Sequence, residues 1–233
     1  MMAAKLVRTL PMDDWEVVVI DQDDRHVYQP GLIFVPFGGS STRDLVRPRS
    51  RTLPPAARLV LAEIDRIAPD ENRVTLTSGE SIGYDFLIIA TGSRIAPADT
   101  EGLLGEGWRS TAFDFYTLDG AGALHEKLRA WKGGHLVLNV VEMPIKCPVA
   151  PLEFLFLAEA FFTRLGMRDK VEITYATPLD GAFTKQRTSE RMGGLLAERN
   201  IRVETLFNTG AVDGANRLLK SWDGREIPYD LLV

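Results

Sequence analysis

The single cysteine of the chain lies in a sequence context that favours redox chemistry. Cys147 follows Lys146 and precedes an apolar segment, Leu152–Leu165, that predicts a helix. A neighbouring cation and a helix N-terminus both favour the thiolate, the form that attacks sulfur. Free cysteines are also often buried as small apolar side chains, and the residues alone leave both interpretations open. With one cysteine the chain forms no intrachain disulfide, and no metal site is expected.

An acidic residue that could bind a sugar ends the first strand-like run, Glu16–Asp21. In doubly wound dinucleotide folds, an acid at the end of the second strand bonds ribose hydroxyls about 20 residues after a glycine-rich turn. No glycine precedes Asp21. The expectation is therefore that the first strand and its glycine turn are missing from this chain. Taken alone, Asp21 is better explained as an ordinary acid at a strand end.

Composition restricts the class of protein that can present these residues. The 233 residues are 45% hydrophobic and 25% charged, which excludes a disordered chain. A net charge of −5 disfavours nucleic acid as a partner, and five arginines between positions 43 and 58 are most simply a solvated loop. No segment reaches the roughly 18 apolar residues of a membrane span, and no secretory signal begins the chain. These features predict a cytoplasmic protein.

Strand-like and helix-like segments alternate along the chain, which predicts the α/β class with a largely parallel sheet. The predicted strands are Glu16–Asp21, Leu59–Ile67, Arg73–Thr77, Phe86–Ala90, His135–Val141, Val171–Tyr175 and Ile201–Thr205. The predicted helices are Met1–Leu10, Ala121–Trp131, Leu152–Leu165 and Ser189–Arg199.

One sequence plan occurs twice. Asn72–Ile88 and Asn216–Val233 each read as a strand, a turn with glycine, a Tyr-Asp pair and an apolar strand. This repetition predicts two domains of similar internal plan, with a crossover in the glycine-rich stretch Pro97–Gly107. Two unrelated hairpins that are similar by chance remain the alternative.

Four motifs occur in order and at fitting distances: Asp21, His26–Leu32 (HVYQPGL), Ala90–Ser93 (ATGS) and Pro144–Pro148 (PIKCP). Together they resemble the FAD-dependent pyridine nucleotide–disulfide oxidoreductase superfamily. Within it, the similarity is closest to the sulfide:quinone oxidoreductases and the flavocytochrome c sulfide dehydrogenases. The resemblance implies a Rossmann-like (FAD/NAD(P)-binding) two-domain flavoprotein fold, incomplete at the N and C termini.

This resemblance also implies a domain division. Residues 1–99 would be part of an FAD-binding domain, and residues 100–225 a second Rossmann-like domain. Residues 226–233 would return to the FAD domain as a strand. In the second domain, His135–Val141 is followed by prolines and by no glycine until Gly166, so the sequence predicts that nicotinamide binding has been lost.

The implied cofactor is FAD. Asp21 would hold its adenosine ribose, and the backbone of Ile64 would face its adenine. Thr91 and Gly92 would approach the flavin or pyrophosphate, where bulky side chains do not fit. Two further residues, Pro30 and Gly31, would lie near the isoalloxazine.

The implied reaction takes sulfide or another small sulfur substrate at Cys147 and passes electrons through FAD to a quinone. The family uses two cysteines, so a second is expected after Val233. Regions outside this chain would supply peripheral contact with the inner membrane. Two alternatives stay open: a truncated, flavin-free binding or vestigial module, and another FAD-dependent NAD(P)H or quinone oxidoreductase.

Overall fold

The computed structural model describes residues 1–233, which divide into two compact units. The first unit comprises Met1–Tyr28 and Arg43–Gly92, and the second comprises Gln29–Thr42 and Ser93–Val233. The segment Gln29–Thr42 therefore differs from the predicted division, which assigned all of residues 1–99 to one domain.

The first unit contains one α-helix and seven short strands. These are α1 (Met2–Thr9), β1 (Val17–Asp21), β2 (Arg25–Val27), β3 (Val46–Pro48), β4 (Ala57–Leu61), β5 (Ile64–Ala68), β6 (Arg73–Leu76) and β7 (Ser81–Gly83). β1 and β4 form a parallel pair, β2 and β3 an antiparallel pair, and β5-β6-β7 an antiparallel sheet. The predicted strand Leu59–Ile67 is divided, because β4 ends at Leu61 and β5 begins at Ile64 in another sheet.

The predicted buried strand Phe86–Ala90 is wrong. These residues form no strand, and their side chains are exposed, with Phe86 at 78% and Ile89 at 66%. A run of apolar residues becomes a buried strand only where neighbouring strands and covering helices are present. In the structure the parallel pairing of the first unit ends with β1 and β4, so nothing pairs with this segment.

The second unit holds three α-helices and seven strands. These are α2 (Leu118–Ala130), β8 (Gly134–Asn139), α3 (Ala150–Arg164), β9 (Val171–Ala176), α4 (Gln186–Glu198), β10 (Ile201–Glu204), β11 (Thr209–Asp213), β12 (Leu218–Ser221), β13 (Glu226–Pro228) and β14 (Leu231–Leu232). A parallel sheet has the order β10-β9-β8-β14, and β11-β12-β13 are antiparallel. The predicted α/β class with parallel sheets is confirmed. None of the helices is both long enough and apolar enough to cross a bilayer.

The central residues of β8, Leu136–Leu138, are apolar at every position instead of alternating apolar and polar. Leu136 and Leu138 face the larger core cluster with Phe154 of α3, while Val137 faces a smaller cluster with Phe207. Successive side chains of a strand point to opposite faces, so a strand covered on both faces must be apolar at every position.

The two repeated segments form the same local structure up to their last strand. Each begins with an antiparallel hairpin, β6–β7 in one unit and β12–β13 in the other. After the second hairpin, β14 pairs in parallel with β8. Residues 226–233, predicted to return to the first domain, therefore lie in the sheets of the second unit.

Candidate functional site

The carboxylate of Asp21 lies at the C-terminal end of the parallel pair in the first unit. Asp21 is opposite Leu61, and its carbonyl oxygen accepts the Ala62 N–H at 2.9 Å. Its Oδ2 forms an ion pair with Nη2 of Arg49 at 2.9 Å, and the Asp21 side chain is 30% exposed. This contact leaves Oδ1 outside the ion pair, on a carboxylate that solvent reaches. Such an oxygen can accept a hydrogen bond from a sugar hydroxyl.

Arg49 also binds the loop that follows β1. Its Nη2 donates to the carbonyl oxygen of Arg25 at 2.8 Å, and its Nε donates to that of Asp23 at 3.4 Å. Its backbone N–H donates to the carbonyl oxygen of Asp24 at 2.9 Å. The sequence predicts that Arg49 lies in a solvated loop and does not indicate these contacts. They arise because β2 and β3 pair antiparallel with Arg25 opposite Pro48, which no local pattern indicates.

The other predicted residues of the first unit lie in two places. Ile64 is the first residue of β5, three positions after the end of β4 and so near the Asp21 end of that strand. Thr91 and Gly92 are exposed and irregular, and Gly92 has a positive φ of 76°. Glycine adopts this φ without strain, and a Cβ at this position would meet no atom within 4 Å beyond its chain neighbours.

Pro30 and Gly31 belong to the second unit. They lie in the 3₁₀ helix Gln29–Phe34, which packs against α2 and α3. Pro30 is exposed and Gly31 is buried. The Phe37 ring that follows lies 5.1 Å from the ring of Phe154 in α3, centroid to centroid. This aromatic packing explains why the segment Gln29–Thr42 belongs to the second unit.

Cys147 lies in the loop between the C-terminal end of β8 and the start of α3. It is half-buried and packs against the larger core cluster, and its carbonyl oxygen accepts the Ala150 N–H at 3.2 Å. Helix α3 begins at Ala150, two residues before its predicted start. Lys146 is exposed. Cys147 is therefore in the same unit as Pro30 and Gly31, and both segments adjoin α3.

Tyr116 is a buried polar group in the surroundings of Cys147 that the sequence analysis missed. Its hydroxyl is buried with no hydrogen-bond partner, and its ring stacks on Phe115 at 4.8 Å between centroids. Burial raises the pKa of Tyr116 to about 12, with smaller contributions from the negative charges of Cys147 and Glu153. The phenol therefore stays protonated and can donate a hydrogen bond. Its position before a helix carries no sequence motif, so only the fold identifies it.

The described residues fit one end of FAD better than the other. The acid at the end of β1 suits an adenosine ribose. A pyrophosphate needs backbone N–H groups from a glycine-rich turn at a helix N-terminus. No glycine precedes Gly31, and the N-terminus of α1 has no side-chain cap and no glycine. The glycine-turn part of a pyrophosphate site is therefore not present before β1.

Known proteins resemble the chain over almost its whole length. No family model matches it. It is 26% identical to the mitochondrial sulfide:quinone oxidoreductase of Mus musculus over 238 residues, covering 99% of this chain and 52% of that protein. It is 24% identical to the mitochondrial sulfide:quinone oxidoreductase of Dictyostelium discoideum, covering 93% of this chain and 49% of that protein.

A solved structure gives the same result for the fold. The crystal structure of the sulfide:quinone oxidoreductase of Aquifex aeolicus matches with a TM-score of 0.82 and 24% identity, over 99% of this chain and 54% of that one. The fold is thus that of the pyridine nucleotide–disulfide oxidoreductases, and the predicted resemblance is confirmed. The chain is similar to sulfide:quinone oxidoreductases and spans about half the length of the relatives it matches.

Proposed function

We propose that this chain forms part of an FAD-dependent oxidoreductase that oxidises sulfide and delivers the electrons to a quinone. The observation that carries the proposal is the place of Cys147, after β8 and before α3. Dinucleotide-binding folds have their glycine turn at this place. Here the loop holds Pro144 and Pro148, and Pro151 lies in the first turn of α3. Prolines lack N–H groups, so this segment suits a thiol better than a pyrophosphate.

Cys147 is proposed as the residue that meets sulfide. Its Sγ forms an S–S bond with the sulfide sulfur, which gives a persulfide and releases the sulfide proton and two electrons. FAD, held through Asp21 and Thr91–Gly92, would supply the two-electron acceptor that this bond formation requires, and a quinone would be the final acceptor of the pair. The protonated Tyr116 hydroxyl is the donor that the protein offers in these surroundings, and a donor stabilises a nearby sulfur anion.

The proposed FAD contacts follow the two units. In the first unit, Asp21 would accept ribose hydroxyls, Ile64 would present its backbone to the adenine, and Thr91–Gly92 would permit a close backbone approach. In the second unit, Pro30–Gly31 would lie near the flavin. We accordingly propose that the first unit is FAD-binding and that the second carries the sulfur chemistry. The quinone implies peripheral contact with a membrane through regions outside this chain.

The test needs a version of the enzyme that carries the whole flavin site. The chain would be extended at both ends with the corresponding segments of the Aquifex aeolicus relative and purified with FAD. Anaerobic sulfide should bleach the visible flavin absorbance, and an added quinone should restore it. A yellow protein that sulfide leaves unbleached would refute sulfide oxidation.

A second candidate function is a flavin-free binding module. The exposed apolar residues Phe86–Ile89 favour it. The two candidates differ in the coding sequence beside the gene. An in-frame strand with a G-x-G-x-x-G turn upstream, and a second cysteine downstream, would support the oxidoreductase. Interrupted reading frames on both sides would support the module.

A further inference from the structure

Arg49 has a different environment from the other arginines of the cluster between positions 43 and 58. Its side chain is 21% exposed and reaches three acceptors: Asp21 Oδ2 and the carbonyl oxygens of Asp23 and Arg25. By contrast, the exposed Arg47 donates to the carbonyl oxygen of its own neighbour, Val46. The side chain of Arg58, 47% exposed, pairs with Glu16 at the opposite end of β1.

The guanidinium geometry restricts what Arg49 can do for a ligand. A guanidinium has five N–H groups, and the Nη2 and Nε groups of Arg49 already point at the protein. The same loop is held a second time, because Asp24 accepts the Ser50 N–H at 2.7 Å and the Ser50 hydroxyl at 3.0 Å. Arg49 thus fixes both the carboxylate of Asp21 and the backbone that follows it.

An acid that binds a ribose must present an oxygen in a fixed direction, since each free rotamer lost on binding lowers affinity. The Arg49 ion pair occupies Oδ2 and so directs Oδ1 away from the guanidinium. We propose that Arg49 is a positioning residue that holds the Asp21 carboxylate in the orientation that accepts the hydroxyls of an adenosine ribose. This inference rests on the proposed FAD site and assigns to it a residue that acts through Asp21.

The test uses the 233-residue chain and ADP, which carries the adenosine end of FAD without the flavin. Binding is measured from the amide chemical shifts of residues 21–25 in the ¹⁵N-labelled chain as ADP is added. A dideoxy ADP without the 2′ and 3′ hydroxyls is the ligand control. Asp21→Asn, Arg49→Gln, Arg49→Lys and the double variant Asp21→Asn with Arg49→Gln are compared. Arg58→Gln is the matched control for loss of a surface ion pair at the other end of β1.

Asp21→Asn should weaken ADP binding about tenfold, the worth of a hydrogen bond to a charged acceptor. Arg49→Gln should weaken it about fivefold, and Arg49→Lys less, because Lys keeps the charge but not the fork. In the Asp21→Asn background, Arg49→Gln should add less than about twofold, since residues that act through one another are not additive. Arg58→Gln should bind like the wild type, and amide dispersion confirms that each variant is folded.

Each other outcome overturns a specific statement. Wild-type binding that does not distinguish ADP from its dideoxy analogue would refute the ribose role of Asp21, and with it this inference. Discrimination that persists unchanged in Arg49→Gln would refute the positioning role alone and leave the FAD proposal standing. Full additivity in the double variant would mean that Arg49 contacts the ligand directly. No titration by the wild type would refute the ribose role of Asp21 in this chain, and this inference with it. The oxidoreductase proposal is decided separately, by bleaching of the extended, flavin-loaded version.

Discussion

Leu231 lies opposite Leu136 in the parallel pair β14–β8, and both side chains are fully buried. Leu231 begins the apolar run that follows the second Tyr-Asp pair, yet the similar run after the earlier Tyr-Asp pair, Phe86–Ile89, is exposed. The difference lies in the partner. β14 has β8 beside it and a helical layer over the sheet, whereas nothing pairs with the earlier run. Parallel strands are stable when both edges and both faces are covered.

This contrast predicts unequal effects for two similar truncations. Leu231→Ala should lower the free energy of unfolding by about 2–5 kcal/mol, because it leaves a cavity in a closed core. Ile89→Ala should change it by less than about 0.5 kcal/mol, because that side chain is exposed. Urea unfolding followed by circular dichroism measures both. Comparable losses in the two variants would mean that Phe86–Ile89 is buried in solution.

The exposed run also predicts self-association. Adjacent exposed apolar residues with unpaired backbone groups favour intermolecular strand pairing. Ile89→Lys should therefore reduce light scattering at high protein concentration and leave the melting temperature nearly unchanged. Leu165→Lys is the control, since Leu165 is a single exposed apolar residue outside that run. Equal scattering by the wild type and Ile89→Lys would contradict the prediction.

Substitution of two glycines in the second unit distinguishes the cost of backbone strain from the cost of a steric clash. Gly102 and Gly166 have φ values of 73° and 66°. A Cβ on Gly102 would collide with the carbonyl oxygen of Val212, whereas a Cβ on Gly166 meets nothing within 4 Å. Gly166→Ala should cost about 1 kcal/mol of unfolding free energy from φ strain alone, and Gly102→Ala should cost clearly more, about 2–4 kcal/mol. Thermal unfolding of both variants decides; a larger loss for Gly166→Ala would contradict the packing at Gly102.

The sequence predicts the second unit well because its strands are covered on both faces. His135–Val141 and Val171–Tyr175 differ from β8 and β9 by two residues or fewer at each end. The same rule fails for Phe86–Ala90, because an apolar pattern reports the tendency to be buried and not the presence of a partner. Pairing between distant strands decides the outcome there.

The candidate site, too, can be predicted only in part from the sequence. The position of Cys147 before a helix follows from local sequence, since an apolar helix after a proline-rich loop is a local pattern. The ion pair between Asp21 and Arg49 does not follow, because it joins residues that only the β2–β3 pair brings together. The buried hydroxyl of Tyr116 is likewise a product of packing.

Two carboxylates, the partly buried Asp213 and the exposed Asp223, predict an acid-sensitive part of the second unit. Hydrogen bonds from Asn216 and Lys220 lower the pKa of Asp213 from 3.8 to about 2. Hydrogen bonds from Arg225 do the same for Asp223. Because the folded pKa lies below the unfolded value, the stabilisation is complete above about pH 4 and is lost as the pH falls towards 2.

Melting temperature measured against pH tests this window. The wild type should lose stability steeply between about pH 4 and 2, and Asp213→Asn and Asp223→Asn should each show a shallower fall. Asp180→Asn, at another exposed position of the second unit, is the control and should keep the wild-type slope. Unchanged slopes in both test variants would contradict the hydrogen-bonded arrangement at these two carboxylates.

The chain by itself should bind FAD weakly. Asp21 and Thr91–Gly92 offer contacts to the adenosine end, but no glycine turn before β1 offers N–H groups to the pyrophosphate. Purification without added flavin should give a colourless protein, and titration with FAD should saturate only at high concentration. The flavin absorbance of the dialysed protein measures the outcome. A yellow preparation with one FAD per chain would contradict this prediction.

The last prediction separates the two interpretations of Cys147. Ser is close to Cys in volume, and Cys147 is only half-buried, so Cys147→Ser should lower the melting temperature by no more than a few degrees. In the extended, flavin-loaded version it should abolish bleaching of the flavin by sulfide, because no thiolate remains in this loop to bond the sulfur. A cysteine that serves only for packing predicts the reverse, a less stable protein with unchanged bleaching.

Tyr116→Phe is the stability comparison near Cys147. It removes a hydroxyl that has no hydrogen-bond partner, so the variant should be as stable as the wild type. Bleaching that survives in Cys147→Ser would show that another residue meets sulfide.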